Sequence, residues 1–507
     1  MNSESIKNRP AGYLFLTEKY HLDVVPNWHS SLIQQTGAQK QTIIDNQVQT
    51  RYPSSYWPGA GTGDHLEFAL KYDGVNLGIL SALFEKIPPK EITEWILSKP
   101  KGKYARRIWF FFEFLTGSKL PLPDVTTGNY IDILEPDRYY TTSPGIRIQR
   151  QRVMNNLLGS SSFCPVIRRT DKLSRMDTLD VQKRCEEVLT AYPPELLKRA
   201  LSYLYNKETK SSFEIEHLKP GASRTEKFVG LLEIAESRDF CDKSSVVDLQ
   251  NRIVDPRFQD TGYRTIQNYV GQSISYQREI LHHVCPKPED IDDLMEGLFH
   301  AHRALKESAI PAVIHAAIIA YGFVFMHPFE DGNGRIHRFL IHNILFLRKA
   351  VPEGLMFPVS AAMIKKNALY DQSLERFSKP LLNIIDYDLD EFGRMTVHGE
   401  TGRWYRYIDM TAQAEILYDF VTFTLEEELV EELDFLASFE KSKRAIQEIA
   451  DIPDRLIDLF IQCCLQNHGH LSSRKREAHF NFLIDDEQAQ MEQAVQEGYA
   501  KSLEAGR

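Results

Sequence analysis

Within twelve residues, from His327 to Arg338, the chain reads His, Pro, Phe, Glu, Asp, Gly, Asn, Gly, Arg, Ile, His, Arg. A histidine titrates near neutrality, so His327 is a candidate base for the proton of an incoming hydroxyl. Asp331 offers a hard oxygen of the kind Mg²⁺ takes alongside phosphate and water. Gly332 and Gly334 flank Asn333 without a Cβ, which lets a phosphate come close to backbone N–H groups. Arg335 and Arg338 are three apart, on one face of a helix, where guanidinium groups hold further phosphate oxygens. Taken singly, each piece has a plain reading, since a glycine pair before a helix is usually a turn. Together they supply base, metal ligand, anion cradle and paired cations, the parts a phosphoryl or nucleotidyl transfer needs.

These side chains need a helix start to hold them. Ile336, Phe339, Leu340, Ile344 and Leu347 recur at helical spacing, so a buried helix is predicted from about Gly334. Its first turn exposes unpaired N–H groups and the positive end of the helix dipole. Pro311 fits the opening of the apolar stretch Ala312 to Met326, and Ser223 with Glu226 forms a capping box for a helix from Arg224 toward Glu236. Between these helices, Thr265 to Ser275, with a central Gly271, reads as a short extended hairpin.

At this point the segment resembles the signature of the Fic family, His-x-Phe-x-Asp/Glu-Gly-Asn-Gly-Arg-x-x-Arg, at every fixed position. The resemblance implies protein AMPylation. It would make His327 the general base and Asp331 the Mg²⁺ ligand. Asn333 and the flanking amides of Gly332 and Gly334 would bind the α-phosphate of ATP, and Arg335 and Arg338 the β- and γ-phosphates. Phe329 would anchor the loop, and Tyr370 stands where family members place residues against adenine. Gly334 favours nucleotidyl transfer over the kinase-like branch, which carries Lys there. Residues Tyr263 to Gly271 are similar to the family's flap, so Thr265, Asn268, Tyr269 and Val270 would register the target chain as an added strand. Upstream, Ser212 and Glu216 resemble the inhibitory motif Ser/Thr-x-x-x-Glu-Gly/Asn, with both residues on one helix face. His217 stands where the family has Gly or Asn. Glu216 would pair with Arg338 and put negative charge where the triphosphate must lie.

The rest of the chain sets bounds. At 507 residues it holds two or three domains, with 42% hydrophobic and 26% charged residues. The fold class is mainly α: a Fic-type helical core with a short β-hairpin flap, plus an N-terminal accessory region and a C-terminal helical domain. The expected bounds are 1–185, 186–385 and 386–507, the last being helix-turn-helix-like. A net charge of −10 disfavours nucleic acid as a partner. Gly59, Gly61 and Gly63 read as a turn, and the Arg474–Arg476 cluster as a solvated face. The six cysteines lack zinc-binding spacing and read as reduced, buried thiols. The amino terminus shows no secretory pattern, and the longest apolar run is too short to span a bilayer, so a cytoplasmic protein off the membrane is expected. The expected partner is a protein substrate, which includes the chain itself, and a homo-oligomer stays open. Two rival functions stand beside AMP transfer: the same site transferring another nucleotide or removing AMP, and a nucleotide-sensing regulator without turnover.

Overall fold

The computed structural model of the protein describes residues 8–44, 47–275 and 278–500. It is mainly helical, with four small sheets among the described residues. The chain forms two compact units that interleave along the sequence. The first comprises the residues up to Leu179, Ala222–Ala350 and Lys366–Asp419. The second comprises Asp180–Gly221, Val351–Lys365 and the residues from Phe420 onward.

The first unit opens with a four-stranded sheet. Strand His29–Ile33 lies between Arg9–Ala11, antiparallel, and Gln47–Tyr52, parallel, and Lys40–Ile44 closes the far edge. One fully buried carboxylate knits this sheet to the helices beside it. Asp73 accepts from Tyr13 N (3.1 Å), from His29 Nδ1 (2.9 Å) and from the Ser31 hydroxyl. Gly12 makes room for it at φ +60°, since a Cβ there would lie 1.9 Å from Asp73 Oδ2. The aromatic-rich helix Lys103–Thr116 buries Trp109, Phe110, Phe111 and Phe112 in a core with Leu80, Leu83 and Ile96.

The site-bearing part of this unit is built on Ala312–Met326, a helix apolar all round and buried from Val313 to Met326. Full burial of each Ile or Phe there stabilises the fold by about 1.5–3 kcal/mol. Pro311, expected in its first turn, is instead its N-cap, one position outside the helix. It reverses through residues 327–332 into helix Asn333–Leu347, which starts one residue before the predicted Gly334. His337 Nδ1 donates to Ala320 O (2.8 Å) across this helix pair. The hairpin expected within Thr265–Ser275 lies further along the chain: Tyr269–Ser275 is its first strand, with Gly271 inside that strand, and Arg278–Val284 is the antiparallel second strand. The helix expected from Arg224 spans Ala222–Ile234, so Ser223 sits inside the first turn and does not cap it. The acidic segment after Asp386 forms a second small hairpin, Tyr387–Leu389 with Met395–Val397.

The second unit packs helices Leu429–Ile449, Asp454–Leu465 and Asp485–Gly498 around Ile446, Phe460, Ile461, Met491 and Val495. Its long helix Pro194–Glu214 is fastened by buried charge. Glu208 accepts from Ser360 N (2.9 Å) and from the Ser360 hydroxyl, while Lys207 (2.9 Å) and Lys365 (2.5 Å) both pair with the buried Glu428. Ser212 is buried in the last turn of this helix. Glu216 differs from expectation. The α-helix ends at Glu214, and Glu216 stands on a terminating turn in which His217 adopts φ +55° and Leu218 N donates to Phe213 O (3.0 Å). A left-handed residue with this six-to-one bond is the usual way a helix stops, and glycine or asparagine carries it with least strain. His217 takes that position here.

Candidate active site

His327 is the C-cap of the apolar helix, in left-handed conformation at φ +50°, and is half-buried. Its Nδ1 lies 3.2 Å from Val324 O. A carbonyl only accepts, so Nδ1 carries the proton and Nε2 is left with the lone pair that a base requires. The main chain of His327 and Pro328 is gripped in turn. Arg264, buried, donates from Nε to His327 O (2.9 Å) and from its backbone N to Pro328 O (2.8 Å). The same guanidinium reaches Ile266 O and Pro286 O (both 2.6 Å), so one residue locks the His327–Pro328 loop to both ends of the hairpin region. His283 Nε2 donates to Phe325 O (2.8 Å), and burial lowers its pKa to about 3.

Beyond His327 the loop is anchored by Phe329, fully buried against Tyr263 and Phe323. Asn333 holds the backbone of Phe329 from both sides: its Oδ1 accepts from Phe329 N (3.1 Å) and its Nδ2 donates to Phe329 O (2.8 Å). The Asn333 side chain is thus engaged by the loop itself, and its backbone amide belongs to the helix mouth. Gly332 caps the helix at φ +93°, with a site for Cβ only 2.9 Å from Val254 Cγ1, so no L side chain fits there without strain. The first helical hydrogen bond runs from Ile336 N to Gly332 O (3.0 Å). The amides before it, at Asn333, Gly334 and Arg335, belong to the open mouth.

Asp331 sits at that mouth with 42% of its side chain exposed. Its Oδ1 accepts from Gly332 N (2.6 Å) and Arg335 Nη2 (2.7 Å). The second carboxylate oxygen, which makes no hydrogen bond among the described residues, suits a hard divalent cation bridging to phosphate. Gln250 braces Asp331 from behind, donating from Nε2 to Asp331 O (3.4 Å) and Phe258 O (2.9 Å). Arg335 also donates to Ile253 O (3.3 Å) and is buried. Arg338, 1% exposed, donates to the Tyr370 hydroxyl (3.3 Å), so Tyr370 is next to the second arginine. In the hairpin, Asn268 donates to Phe329 O (3.5 Å), and Tyr269 pairs with Val284 and Val270 with His283. Thr265 lies in the segment leading into the hairpin, next to the bracing Arg264. The structure therefore brings His327, Asp331, Gly332, Asn333, Gly334, Arg335, Arg338 and Tyr370 together, with the hairpin tied to the same loop. Ser212 and Glu216 belong to the other unit.

Sequence patterns gave no hint of Arg264 or Gln250, which act on backbone carbonyls 63 and 81 positions away. A buried arginine or glutamine facing carbonyls has no spacing signature.

A second cluster tests the expectation about cysteines and metal. The six cysteines are free and buried. Cys241, Asp239 and His302 place potential ligand atoms within 4.8 Å of one another. Counting protons argues against a cation in this arrangement. Arg348 Nη1 donates to His315 Nδ1 (3.1 Å), and His315, held neutral by burial, donates from Nε2 to His302 Nδ1 (3.1 Å). That leaves a proton on His302 Nε2, which goes to Asp239 (3.0 Å), where Lys306 also binds (3.0 Å). The nitrogen a metal needs is protonated, and an ammonium occupies the carboxylate.

The profile of the Fic/DOC family matches residues 240–345. Proteins named protein adenylyltransferase Fic from Drosophila virilis and Drosophila grimshawi are each 34% identical over 110 residues, 21% of this chain and 20% of theirs. The one from Culex quinquefasciatus is 31% identical over 125 residues, 24% of this chain and 22% of its own length. The match thus spans about a fifth of those relatives. Two solved structures are similar: a Fic family protein from Desulfovibrio desulfuricans G20 (18% identity, TM-score 0.38, 55% of this chain, 80% of that one) and a Fic domain containing signaling protein from Bacteroides thetaiotaomicron VPI-5482 (16%, 0.33, 49% and 96%). Residues 240–345 are thus the part of the chain that matches the Fic/DOC family.

Proposed function

We propose that the protein transfers AMP from ATP to a Ser, Thr or Tyr hydroxyl of a protein substrate, itself included. The observation that carries this reading is the His327 tautomer. Its Nδ1 proton goes to Val324 O, which puts the ring's lone pair on Nε2, in the loop that leads into the mouth of helix Asn333–Leu347. The target hydroxyl gives its proton to His327 Nε2, and its oxygen forms a bond to the α-phosphorus. The bond from that phosphorus to the bridging oxygen breaks, and pyrophosphate leaves. The helix-mouth amides receive the α-phosphate, and Arg335 and Arg338 hold the β- and γ-phosphates. Asp331 fits Mg²⁺ through its second oxygen, and Mg²⁺ bound there neutralises charge on the phosphates. Tyr370 makes no contact to a base in this reading: bonded to Arg338, it stands at the γ-phosphate side and positions that guanidinium.

Autoinhibition is part of the proposal. Glu216, just past a helix end, supplies a carboxylate to Arg338 and displaces the γ-phosphate. Support comes from the Ser212 and Glu216 spacing and from His217 holding the left-handed stop where Gly or Asn stands in the family motif. The test is pyrophosphate release from Mg-ATP by the wild type, Glu216→Gly and Glu216→Gly/His327→Ala. Release should rise in the single variant and vanish in the double one; equal release with and without His327 overturns the reading.

A further inference from the structure

The second hairpin, Tyr387–Leu389 with Met395–Val397, turns through residues 390–394 in a conformation fixed by its own atoms. Asp390 Oδ1 accepts from Phe392 N (2.9 Å) and from Arg394 N (2.8 Å). Gly393 N donates to Asp390 O (3.1 Å), Asp390 N donates to Arg394 O (3.0 Å), and Gly393 adopts the φ of +76° the turn needs. This built turn holds Phe392 out at 76% exposure, the most exposed large hydrophobic among the described residues. A single exposed aromatic is ordinary on a protein surface; what sets this one apart is that its own turn pins it in water.

The turn also has a defined neighbour. A Cβ placed on Gly393 would come within 3.3 Å of the Tyr269 hydroxyl, so the tip stands beside the first residue of the flap. Near the flap, Ile266, Val270 and Ile280 are exposed too, at 55%, 36% and 45%. The flap is tied to the catalytic loop by Arg264 and Asn268. The hairpin segment 386–394 carries Asp386, Asp388, Asp390 and Glu391 against the single cation Arg394. The surface next to the reacting loop is therefore apolar at its tip and acidic around it.

We propose that this hairpin is a second docking jaw beside the flap, which receives an extended segment of the protein substrate bearing an apolar residue next to lysine or arginine. The apolar residue packs on Phe392 and Val270, and the cations face Asp386 and Glu391. The flap supplies main-chain pairing without sequence preference, and the jaw adds the preference. This rests on the transferase reading only for the identity of the segment as a substrate.

The test is direct binding of two fluorescent peptides to the full chain without ATP. They have equal length and the same central hydroxyl residue, one with Lys and Arg flanking Leu and Ile, the other with Asp and Glu in place of the cations. The basic peptide is expected to bind about tenfold tighter or more, and Phe392→Ser to weaken it by about as much. Phe392→Leu should retain binding, and Glu391→Lys should narrow the preference. Equal binding of both peptides, no binding by the wild type, or undiminished binding by Phe392→Ser overturns the jaw. Since neither ATP nor His327 enters this assay, binding without AMP transfer in Glu216→Gly defeats the transferase reading alone, and transfer without peptide preference defeats the jaw alone.

Discussion

Replacing Asn333 by alanine separates two jobs that one residue could have, bracing the loop and touching the nucleotide. In the structure the side chain makes two hydrogen bonds, at 3.1 and 2.8 Å, to the N–H and C=O of Phe329, and all these groups are buried. Asn333→Ala leaves both backbone groups without a partner. Each orphaned group costs about 1–3 kcal/mol, and a water entering the vacated space recovers part of this, so the loop should loosen by about 2–3 kcal/mol. Hydrogen exchange at the Phe329 amide reads this directly, and protection should fall by about 30- to 140-fold. Asn333→Asp keeps the acceptor for Phe329 N but turns a carboxylate oxygen toward Phe329 O. The carboxyl pKa is then raised in the folded state, so the stability deficit relative to wild type should shrink as pH falls, when the protonated acid can donate again. AMP transfer should fall in step with protection across both variants. Activity lost with Phe329 protection intact would refute the bracing role and make the side chain a nucleotide contact.

Other outcomes follow from particular contacts. Gly332→Ala should cost about 2–4 kcal/mol of stability, read from the urea midpoint, because it combines a left-handed φ with a Cβ 2.9 Å from Val254. Arg264→Met should release both the flap and the catalytic loop, seen as faster exchange at Phe329 and Tyr269 together, whereas loosening of one alone would count against a shared brace. Burial lowers His283 to about 3 and His65 to about 4, so both stay neutral in the fold while the unfolded chain takes up protons. Their contribution is complete above pH about 6.5 and is lost as pH falls toward those values, by about 2 kcal/mol for each between pH 7 and pH 5, which urea titrations at those two pH values should show as a falling midpoint. Asp73→Ala should destabilise the N-terminal sheet by about 3–5 kcal/mol, since His29, Ser31 and the Tyr13 N–H all lose their acceptor.

The loop and helix start at residues 327–338 were legible because their pattern is local. Base, acid, glycines and arginines fall within one turn and one helix start, and the apolar period from Ile336 to Leu347 fixes where that helix lies. The extended pattern revealed the first strand of the hairpin but not its second arm, and Gly271 lies inside that strand at a register shift and not at the turn. The braces were not, because Arg264 and Gln250 work through main-chain carbonyls, which carry no residue identity. The use of Asn333 was hidden for a related reason: its partner is the backbone of Phe329, four residues back. The end of helix Pro194–Glu214 was misplaced because helical spacing continues through Glu216, and only the left-handed His217 reveals the stop. The interleaving of two compact units leaves no trace in composition, since residues 351–365 join the second unit through tertiary contacts such as Ser360 with Glu208 and Lys365 with Glu428.

The most direct measurement uses ATP labelled at either the α- or the γ-phosphate, incubated with Mg²⁺ and the Glu216→Gly chain together with candidate protein substrates. Covalent label should appear on protein from the α position only, resist denaturation, and disappear when His327 is replaced by alanine. Label retained from the γ position, or α-label that persists without His327, would contradict AMP transfer by this imidazole.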